Sequence, residues 1–217
     1  DAGRRLARLL TELDGANAVV LALPRGGVPV AVEVADALRC PLDVLIVRKL
    51  GAPIQPELAM GAVAEGGARY VDHRIVDEVG CSEAELAAVE RREEQELARR
   101  VALWRGGRPP LDVFGKTVIV VDDGIATGAT LRAALRALKA RRPGRVVVAV
   151  PVASTSAIDT LRGEADDVIC VEVDRAMWGI GDSYQDFTQV PDQRVSEMLE
   201  EARLRAQPAV ASAKAAS

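Results

Sequence analysis

Short apolar runs alternate with stretches of helical spacing along most of the chain. Runs rich in aliphatic residues predict five core strands, at 18–23, 43–47, 117–121, 145–152 and 167–171. Between these runs, apolar residues recur at intervals of three and four, which is the spacing of one buried helix face. This alternation predicts an α/β fold in which helices flank a central, mostly parallel sheet of five strands.

The sequence predicts both the start and the end of two helices. Four leucines between residues 6 and 13 predict a first helix that ends at Gly15. Ser82 and Glu85 have the spacing of a capping box, in which each residue's side chain bonds the other's main-chain N–H. They predict a long helix that runs to about Trp104.

The run Thr117–Val121 ends in two carboxylates, Asp122 and Asp123. An adjacent acidic pair at the end of a buried strand suits the hydroxyl groups of a sugar, bound directly or through a divalent cation. A small, hydroxyl-rich turn follows the pair, and a helical leucine repeat follows the turn. The turn consists of Ala126, Thr127, Gly128, Ala129 and Thr130.

This turn is predicted to bind an anion. The first N–H groups of a helix are free and carry its positive dipole end, and Gly128 lets an anion approach the main chain closely. Thr127 and Thr130 can add hydroxyl donors. The alternative is a plain helix cap at Thr127, which would leave the acidic pair and the second threonine unexplained. Together the pair and the turn predict a receptor for a sugar phosphate.

The stretch VIVVDDGIATGAT resembles the phosphoribosyl pyrophosphate (PRPP) signature of the type I phosphoribosyltransferases. The resemblance implies that the turn binds the 5′-phosphate of PRPP and that Asp122 and Asp123 hold the ribose hydroxyls. It also implies a magnesium ion bound mostly by PRPP and water, with the acidic pair as an indirect ligand. The implied activity is transfer of the phosphoribosyl group to a nucleobase-like small molecule in nucleotide salvage.

A second loop, Pro24-Arg25-Gly26-Gly27, follows the strand at 18–23. Paired glycines can expose main-chain N–H groups to an anion, and Arg25 adds a positive charge. LPRGG resembles the pyrophosphate loop of the same family, where several members have a non-proline cis peptide, so we expect one near Arg25 and Gly26. The alternative is a tight turn with a solvated arginine.

Two basic residues, Arg48 and Lys49, come directly after the strand at 43–47. Ligands of open α/β sheets bind at the carboxyl ends of the strands. VRKLGAP resembles the strand end of adenine-type phosphoribosyltransferases, where a basic residue meets the pyrophosphate. Lys49 is the favoured residue and Arg48 its substitute, whereas simple solvation of both charges is the alternative.

The insertion at about 53–110 is expected to act as a lid, as flexible hairpins do at this point in the family. Gly66 and Gly67 between apolar arms predict the hairpin itself. Glu57 and Glu65 are its best-placed carboxylates, although each also fits a solvated loop charge.

The segment at about 174–190 is expected to form a small hood over the acceptor. It places Trp178, Tyr184 and Phe187 among glycines, which suits a stacking surface. A small hydrophobic plug under a surface loop is the alternative. A helix at about 192–206 follows, and the single domain, with its core at about 16–173, spans 1–206. The tail, 207–217, is predicted to be disordered.

The composition and net charge limit which binding partners and which cellular compartment are expected. The net charge is −4, which argues against non-specific nucleic-acid binding. Three widely spaced cysteines suggest free thiols in a reducing compartment, so the cytoplasm is expected. No apolar run reaches the length of a membrane span. The chain begins at Asp1 rather than Met, so preceding residues are expected, and a homodimer stays open.

Ala126 bears on the acceptor. In the family, members that act on 6-oxopurines usually have an acid at this position, and a methyl group cannot exchange a proton. A 6-oxopurine acceptor is therefore disfavoured. The competing hypothesis is a non-catalytic regulatory domain that binds PRPP or a nucleotide.

Overall fold

The computed structural model describes residues 1–177 and 179–206. The predicted tail, 207–217, lies outside them. The helices and strands follow in the order α1 (Ala2–Arg8), β1 (Ala18–Ala22), α2 (Gly27–Leu38), β2 (Leu42–Val44), β3 (Val47–Gly51), β4 (Ala59–Ala64), β5 (Arg69–Val71), α3 (His73–Glu78), α4 (Glu83–Arg105), β6 (Thr117–Val121), α5 (Ala129–Lys139), β7 (Arg145–Ser154), α6 (Thr155–Leu161), β8 (Asp167–Asp174) and α7 (Asp192–Ala206).

The predicted five-stranded sheet is confirmed, in the order β2-β1-β6-β7-β8 with every pair parallel. Its central strands are buried on both faces, which explains why they read as continuous apolar runs. Val20 and Ile119 face the layer that contains α1, α2, α4 and α7. Val19 and Val118 face the layer of α5 and α6.

A second, antiparallel sheet of β3, β4 and β5 corrects one prediction. Arg48 and Lys49 were expected at the carboxyl end of the strand at 43–47, but they lie inside β3, where Lys49 pairs with Ala62. The chain leaves the first sheet at Val44 and enters the second at Val47. The predicted hairpin is confirmed as β4 and β5, joined through Gly66 and Gly67 at positive φ.

The capping box is confirmed, since Ser82 and Glu85 bond each other at the start of α4. The first helix is shorter than predicted and ends at Arg8. Beyond it the chain continues in turns, in which the N–H groups of Leu10 and Leu13 donate to carbonyls three residues earlier. Leu10 is buried by a tight turn rather than by a helix. Its spacing from Leu6 therefore looked helical in the sequence, although the helix had already ended.

The parallel register brings two loops to the same edge of the main sheet. Ala22, the last residue of β1, lies beside Val121, the last residue of β6. The loops that follow these strands, 23–26 and 122–128, are therefore neighbours, as expected for ligand-binding loops of an α/β sheet. Among the described residues, no helix is long and apolar enough to cross a membrane.

Candidate active site

Asp122 and Asp123 follow β6 and are both partly buried. The N–H of Asp123 donates to Asp122 Oδ1 at 2.9 Å, which fixes the first carboxylate against the turn. Burial and the neighbouring charge of Asp123 raise the pKa of Asp122 well above its usual range. Burial also raises the pKa of Asp123. Such a pair gains from a ligand or cation that neutralises or hydrogen-bonds its charge.

The two glycines of the first loop allow it to lie directly on the acidic pair. A Cβ placed on Gly26 would fall 1.7 Å from Asp123 Oδ2, and one on Gly27 would fall 2.9 Å from the Cα of Asp122. The loop is also joined to β6, since the N–H of Leu23 donates to the carbonyl of Val121 at 2.8 Å. A larger residue at position 26 would displace the loop or the Asp123 side chain, and one at position 27 would collide with the main chain of Val121 and Asp122.

Arg25 lies beside this contact and is preceded by a cis peptide bond, between Pro24 and Arg25. The non-proline cis peptide expected near Arg25 and Gly26 is therefore confirmed. Arg25 Nη1 lies 3.7 Å from Asp192 Oδ1, at the start of α7. Asp192 was not anticipated as a partner, because nothing in its sequence context points to a residue so far away along the chain.

The predicted phosphate turn, 126–130, leads into α5, which begins at Ala129. Gly128 is the N-cap residue at φ 73°, in the left-handed region that favours glycine. Thr127 Oγ1 accepts a hydrogen bond from the N–H of Ala129 at 3.4 Å, and Thr127 and Thr130 are both exposed. The amides of the first helical turn have no partners within the helix itself, so they can serve an anion.

The main chain of Ala126 is held by a residue that sequence reasoning missed. Ser154 Oγ donates to the carbonyl of Ala126 at 2.6 Å and also accepts from the N–H of Ala157, so it caps α6. Its position, directly before a helix, is a helix-cap signal that the sequence did contain.

A cleft of about 1020 Å³ opens beside the acidic pair. It brings together five predicted site residues: Arg25, Gly26, Asp123, Tyr184 and Phe187. Its floor includes Pro151 and Val152, near the carboxyl end of β7. Within the described part of the chain, the remaining predicted site residues do not line this cleft, namely Gly27, Lys49, Asp122 and the turn 126–130.

The hood contacts the acidic loop. The Tyr184 hydroxyl donates to the main-chain carbonyl of Asp123. Burial, with the negative charges of Asp123 and Asp122, raises the pKa of Tyr184. The Tyr184 and Phe187 rings lie 5.2 Å apart between centroids at an angle of 39°. Trp178, the third predicted hood aromatic, lies outside the described residues.

The two basic residues of β3 have different environments. Arg48 is bound by the buried Glu93 of α4, with Nη2 2.6 Å from Oε2. Lys49 Nζ lies 3.1 Å from Glu57 Oε2, in the loop between β3 and β4. Glu65 is not a solvated charge, since it pairs with Arg105 inside the fold. Glu57 is 94% exposed, as its solvated alternative implied.

The acidic pair is too small to form a metal cage by itself. Among residues 1–177 and 179–206, no group of three or more histidine, cysteine, aspartate or glutamate side chains could hold a metal ion. A cation at Asp122 and Asp123 would need most of its ligands from a bound molecule and from water.

Comparison with known proteins agrees with this geometry. A family model described as the phosphoribosyl transferase domain matches residues 1–185. Provisionally named phosphoribosyl transferases from two Mycobacterium tuberculosis strains, CDC 1551 / Oshkosh and ATCC 25618 / H37Rv, are each 46% identical over 202 residues, or 93% of this chain. The crystal structure of TT1426 from Thermus thermophilus is 42% identical with a TM-score of 0.84, covering 92% of this chain and 95% of that one.

The match covers only 46% of each mycobacterial relative, so this chain spans less than half of their length. The family model, by contrast, covers most of the chain, and the two loops that carried the resemblance meet at one edge of the sheet. The chain is a phosphoribosyl transferase domain and belongs to that family.

Proposed function

We propose that this domain transfers the phosphoribosyl group of PRPP to a nitrogenous base, or runs the reverse pyrophosphorolysis, in nucleotide salvage. The observation that carries the proposal is the contact of two loops at the carboxyl edge of the sheet. Gly26 lies against the carboxylate of Asp123, which places a candidate pyrophosphate loop directly beside a candidate ribose site. The longer mycobacterial relatives make this a statement about the domain rather than about a whole protein.

PRPP would be held from both ends. The amides at the start of α5, with the hydroxyls of Thr127 and Thr130, bind the 5′-phosphate. Asp122 and Asp123 accept hydrogen bonds from the 2′- and 3′-hydroxyls of the ribose. These contacts also offset the burial and the neighbouring charge of Asp123, which together raise the pKa of Asp122.

In the reaction, the bond between C1′ and the pyrophosphate oxygen breaks, and its electron pair leaves with pyrophosphate. A nitrogen of the acceptor forms the new bond to C1′ with inversion. Arg25 and the amide of Gly26 stabilise the departing charge, whereas the N–H of Gly27 already donates to the carbonyl of Leu23 at 3.1 Å and would have to exchange that partner to join them. Lys49 adds a second cation once Glu57 releases it. The proton of the acceptor goes to water, since Ala126 cannot take it.

Magnesium fits this site. Mg²⁺ is commonly held by one or two carboxylates together with substrate phosphates and water, which is the set that Asp122 and Asp123 would complete with PRPP. When bound, it neutralises negative charge on the pyrophosphate and helps it to leave.

The acceptor would lie in the cleft under the hood, against Phe187 and Tyr184. Ala126 disfavours a 6-oxopurine, because its methyl side chain can neither take a proton from the acceptor nor give one to it. The cytoplasmic location and a homodimer remain predictions.

A non-catalytic domain that binds PRPP or a nucleotide is the alternative. One observation favours it, namely that the ammonium of Lys49 is already paired with Glu57. The test incubates purified protein with PRPP, Mg²⁺ and a panel of nucleobases and measures pyrophosphate release. We expect release with at least one base and its loss when Asp122 and Asp123 are both replaced by Asn.

The other outcomes separate the hypotheses. PRPP binding without release for any base would support the regulatory domain. Unchanged turnover in the double variant would remove the role given to the acidic pair. Absence of PRPP binding would overturn the transferase and leave only a regulatory domain that binds a nucleotide.

A further inference from the structure

The hood contacts the loop after β6, 122–128, at two points. The Tyr184 hydroxyl donates to the main-chain carbonyl of Asp123. Next to it, Ile180 covers Gly124 so closely that a Cβ on Gly124 would fall 2.7 Å from Ile180 Cγ2. The segment expected to cover the acceptor therefore also bonds the main chain of the residue expected to hold the ribose.

The two aromatic residues of the hood are not equivalent. Tyr184 is partly buried and its hydroxyl is used, whereas Phe187 is 47% exposed and has no polar atom to position. Both line the cleft, and their rings contact each other. Phe187 is thus the freer surface for stacking an acceptor, while Tyr184 connects that surface to Asp123.

The position of Asp123 leaves little tolerance. Its carboxylate lies against Gly26, and it repels the neighbouring carboxylate of Asp122. Gly124 has no side chain to restrict its own dihedral angles, and the residue after it is held to β7, where the N–H of Ile125 donates to the carbonyl of Val152 at 2.9 Å. The hydrogen bond from Tyr184 adds a constraint on the other side of Gly124, because it sets the orientation of the Asp123 carbonyl.

We propose that Tyr184 is a positioning residue for the phosphoribosyl donor, which it affects by fixing the Asp123 peptide. The inference rests on the proposed function. It assigns Tyr184 to the PRPP side of the site and leaves acceptor stacking mainly to Phe187. The hood thereby links the two substrates, since a change in its position moves both the stacking surface and the acidic pair.

The test measures PRPP binding by calorimetry in the presence of Mg²⁺ and without any acceptor. Tyr184→Phe removes only the hydroxyl, and leaves the partly buried carbonyl of Asp123 without its donor. We expect PRPP to bind about tenfold more weakly. Phe114→Leu, at an exposed aromatic residue that does not line the cleft, is the control and should keep the PRPP affinity of the wild type within about twofold. Thermal melting of each variant reports whether the fold is kept.

A rescue variant separates positioning from packing. Replacement of Tyr184 by p-aminophenylalanine keeps the ring and restores an N–H donor at the same place, so PRPP affinity should return to within about threefold of wild type. Where activity is found, Tyr184→Phe should raise the KM for PRPP more than the KM for the acceptor.

Each remaining outcome overturns the inference. Wild-type PRPP affinity in Tyr184→Phe would show that the hydroxyl does not act on the donor. Equal weakening in Phe114→Leu would show that the loss does not depend on the Tyr184 hydroxyl, and no rescue by the amino variant would reduce Tyr184 to a packing residue. If the wild-type protein itself binds no PRPP, the proposed function fails and this inference fails with it.

Discussion

Gly26 and Asp123 are in direct contact, although they lie far apart along the chain. A Cβ on Gly26 would fall 1.7 Å from Asp123 Oδ2 and 2.6 Å from its Cγ, closer than any real contact. The glycine is therefore required by space, not by its backbone angle. This contact joins the loop after β1 to the acidic pair after β6.

Gly26→Ala is expected to disrupt PRPP binding. The added methyl group must displace either the loop or the Asp123 carboxylate, and overpacking of this kind costs about 1–3 kcal/mol. Because both displaced groups are assigned to PRPP, its affinity should fall by at least tenfold. Calorimetric titration with PRPP and Mg²⁺ measures this loss.

Gly163→Ala is the matched control, since a Cβ there meets nothing within 4 Å. It should leave PRPP affinity and thermal stability close to those of the wild type. Full PRPP affinity in Gly26→Ala would mean that the Asp123 carboxylate is not part of the binding site.

The main sheet and its phosphate turn could be predicted from local sequence because each signal lies within a few residues. The apolar run 117–121, the acidic pair and Gly128 follow one another, and each has a structural meaning where it stands. The hydrogen bond from Tyr184 to Asp123 has no such signal, since nothing in either residue's neighbourhood specifies the other.

The second sheet could not be predicted for a related reason. The chain changes sheets between Val44 and Val47, but Leu45 and Ile46 are buried aliphatic residues without a turn signal. One apolar run therefore appeared as one strand. The buried pairing of Arg105 with Asp43 and Glu65, which joins α4 to both sheets, was equally invisible because its members are far apart in sequence.

Arg48 and Lys49 are expected to respond differently to the same substitution. Among residues 1–177 and 179–206, Arg48→Met leaves the buried Glu93 with the exposed Arg92 as its one ion-pair partner. The substitution should lower the free energy of unfolding by about 2–3 kcal/mol, somewhat less than the loss of a fully buried pair. Lys49→Met breaks only its bond to the exposed Glu57, so stability should stay within about 1 kcal/mol. Urea unfolding measures both.

For pyrophosphate affinity, Lys49→Met should have the larger effect of the two substitutions. Lys49→Met should bind pyrophosphate several-fold more weakly, because it removes a proposed ligand, whereas folded Arg48→Met should bind it normally. Weaker binding in Arg48→Met alone would exchange the roles assigned to the two residues.

Asp122→Asn is expected to stabilise the protein at neutral pH while impairing PRPP binding. Burial and the charge of Asp123 raise the pKa of Asp122 in the folded state. The folded state therefore holds this proton more tightly than the unfolded state, and stability falls as pH rises from the ordinary carboxyl pKa through the raised one. Asn avoids that loss and keeps the acceptor oxygen for the N–H of Asp123.

Melting temperatures of the two proteins at pH 4 and pH 7.5 test this sign. Relative to the wild type, the free energy of unfolding of Asp122→Asn should be higher by about 0.5–2 kcal/mol at pH 7.5 and almost unchanged at pH 4. Asp186→Asn is a control in which stability should change in the opposite direction. Hydrogen bonds from Thr188 lower the pKa of Asp186, so its replacement should lower the stability at pH 7.5 rather than raise it. A variant of Asp122 that is less stable than wild type at pH 7.5 would contradict the assigned direction.

Glu57→Gln is expected to strengthen pyrophosphate binding. Lys49 Nζ donates to Glu57 Oε2 at 3.1 Å and to its main-chain carbonyl at 3.3 Å, so an incoming anion must compete with the carboxylate. Gln removes the charge but leaves the main-chain contact and the loop. Because exposed ion pairs are weak, the dissociation constant should fall only about two- to fivefold.

Glu94→Gln serves as the control. Glu94 is an exposed residue of α4, and its replacement changes the net charge by the same amount without touching the Lys49–Glu57 pair. The gain should also shrink as salt is added, since exposed charges are screened within about 8–10 Å at physiological ionic strength. Equal gains in both variants would assign the effect to net charge alone. Weaker pyrophosphate binding in Glu57→Gln would mean instead that the Glu57 bond holds Lys49 in its binding position.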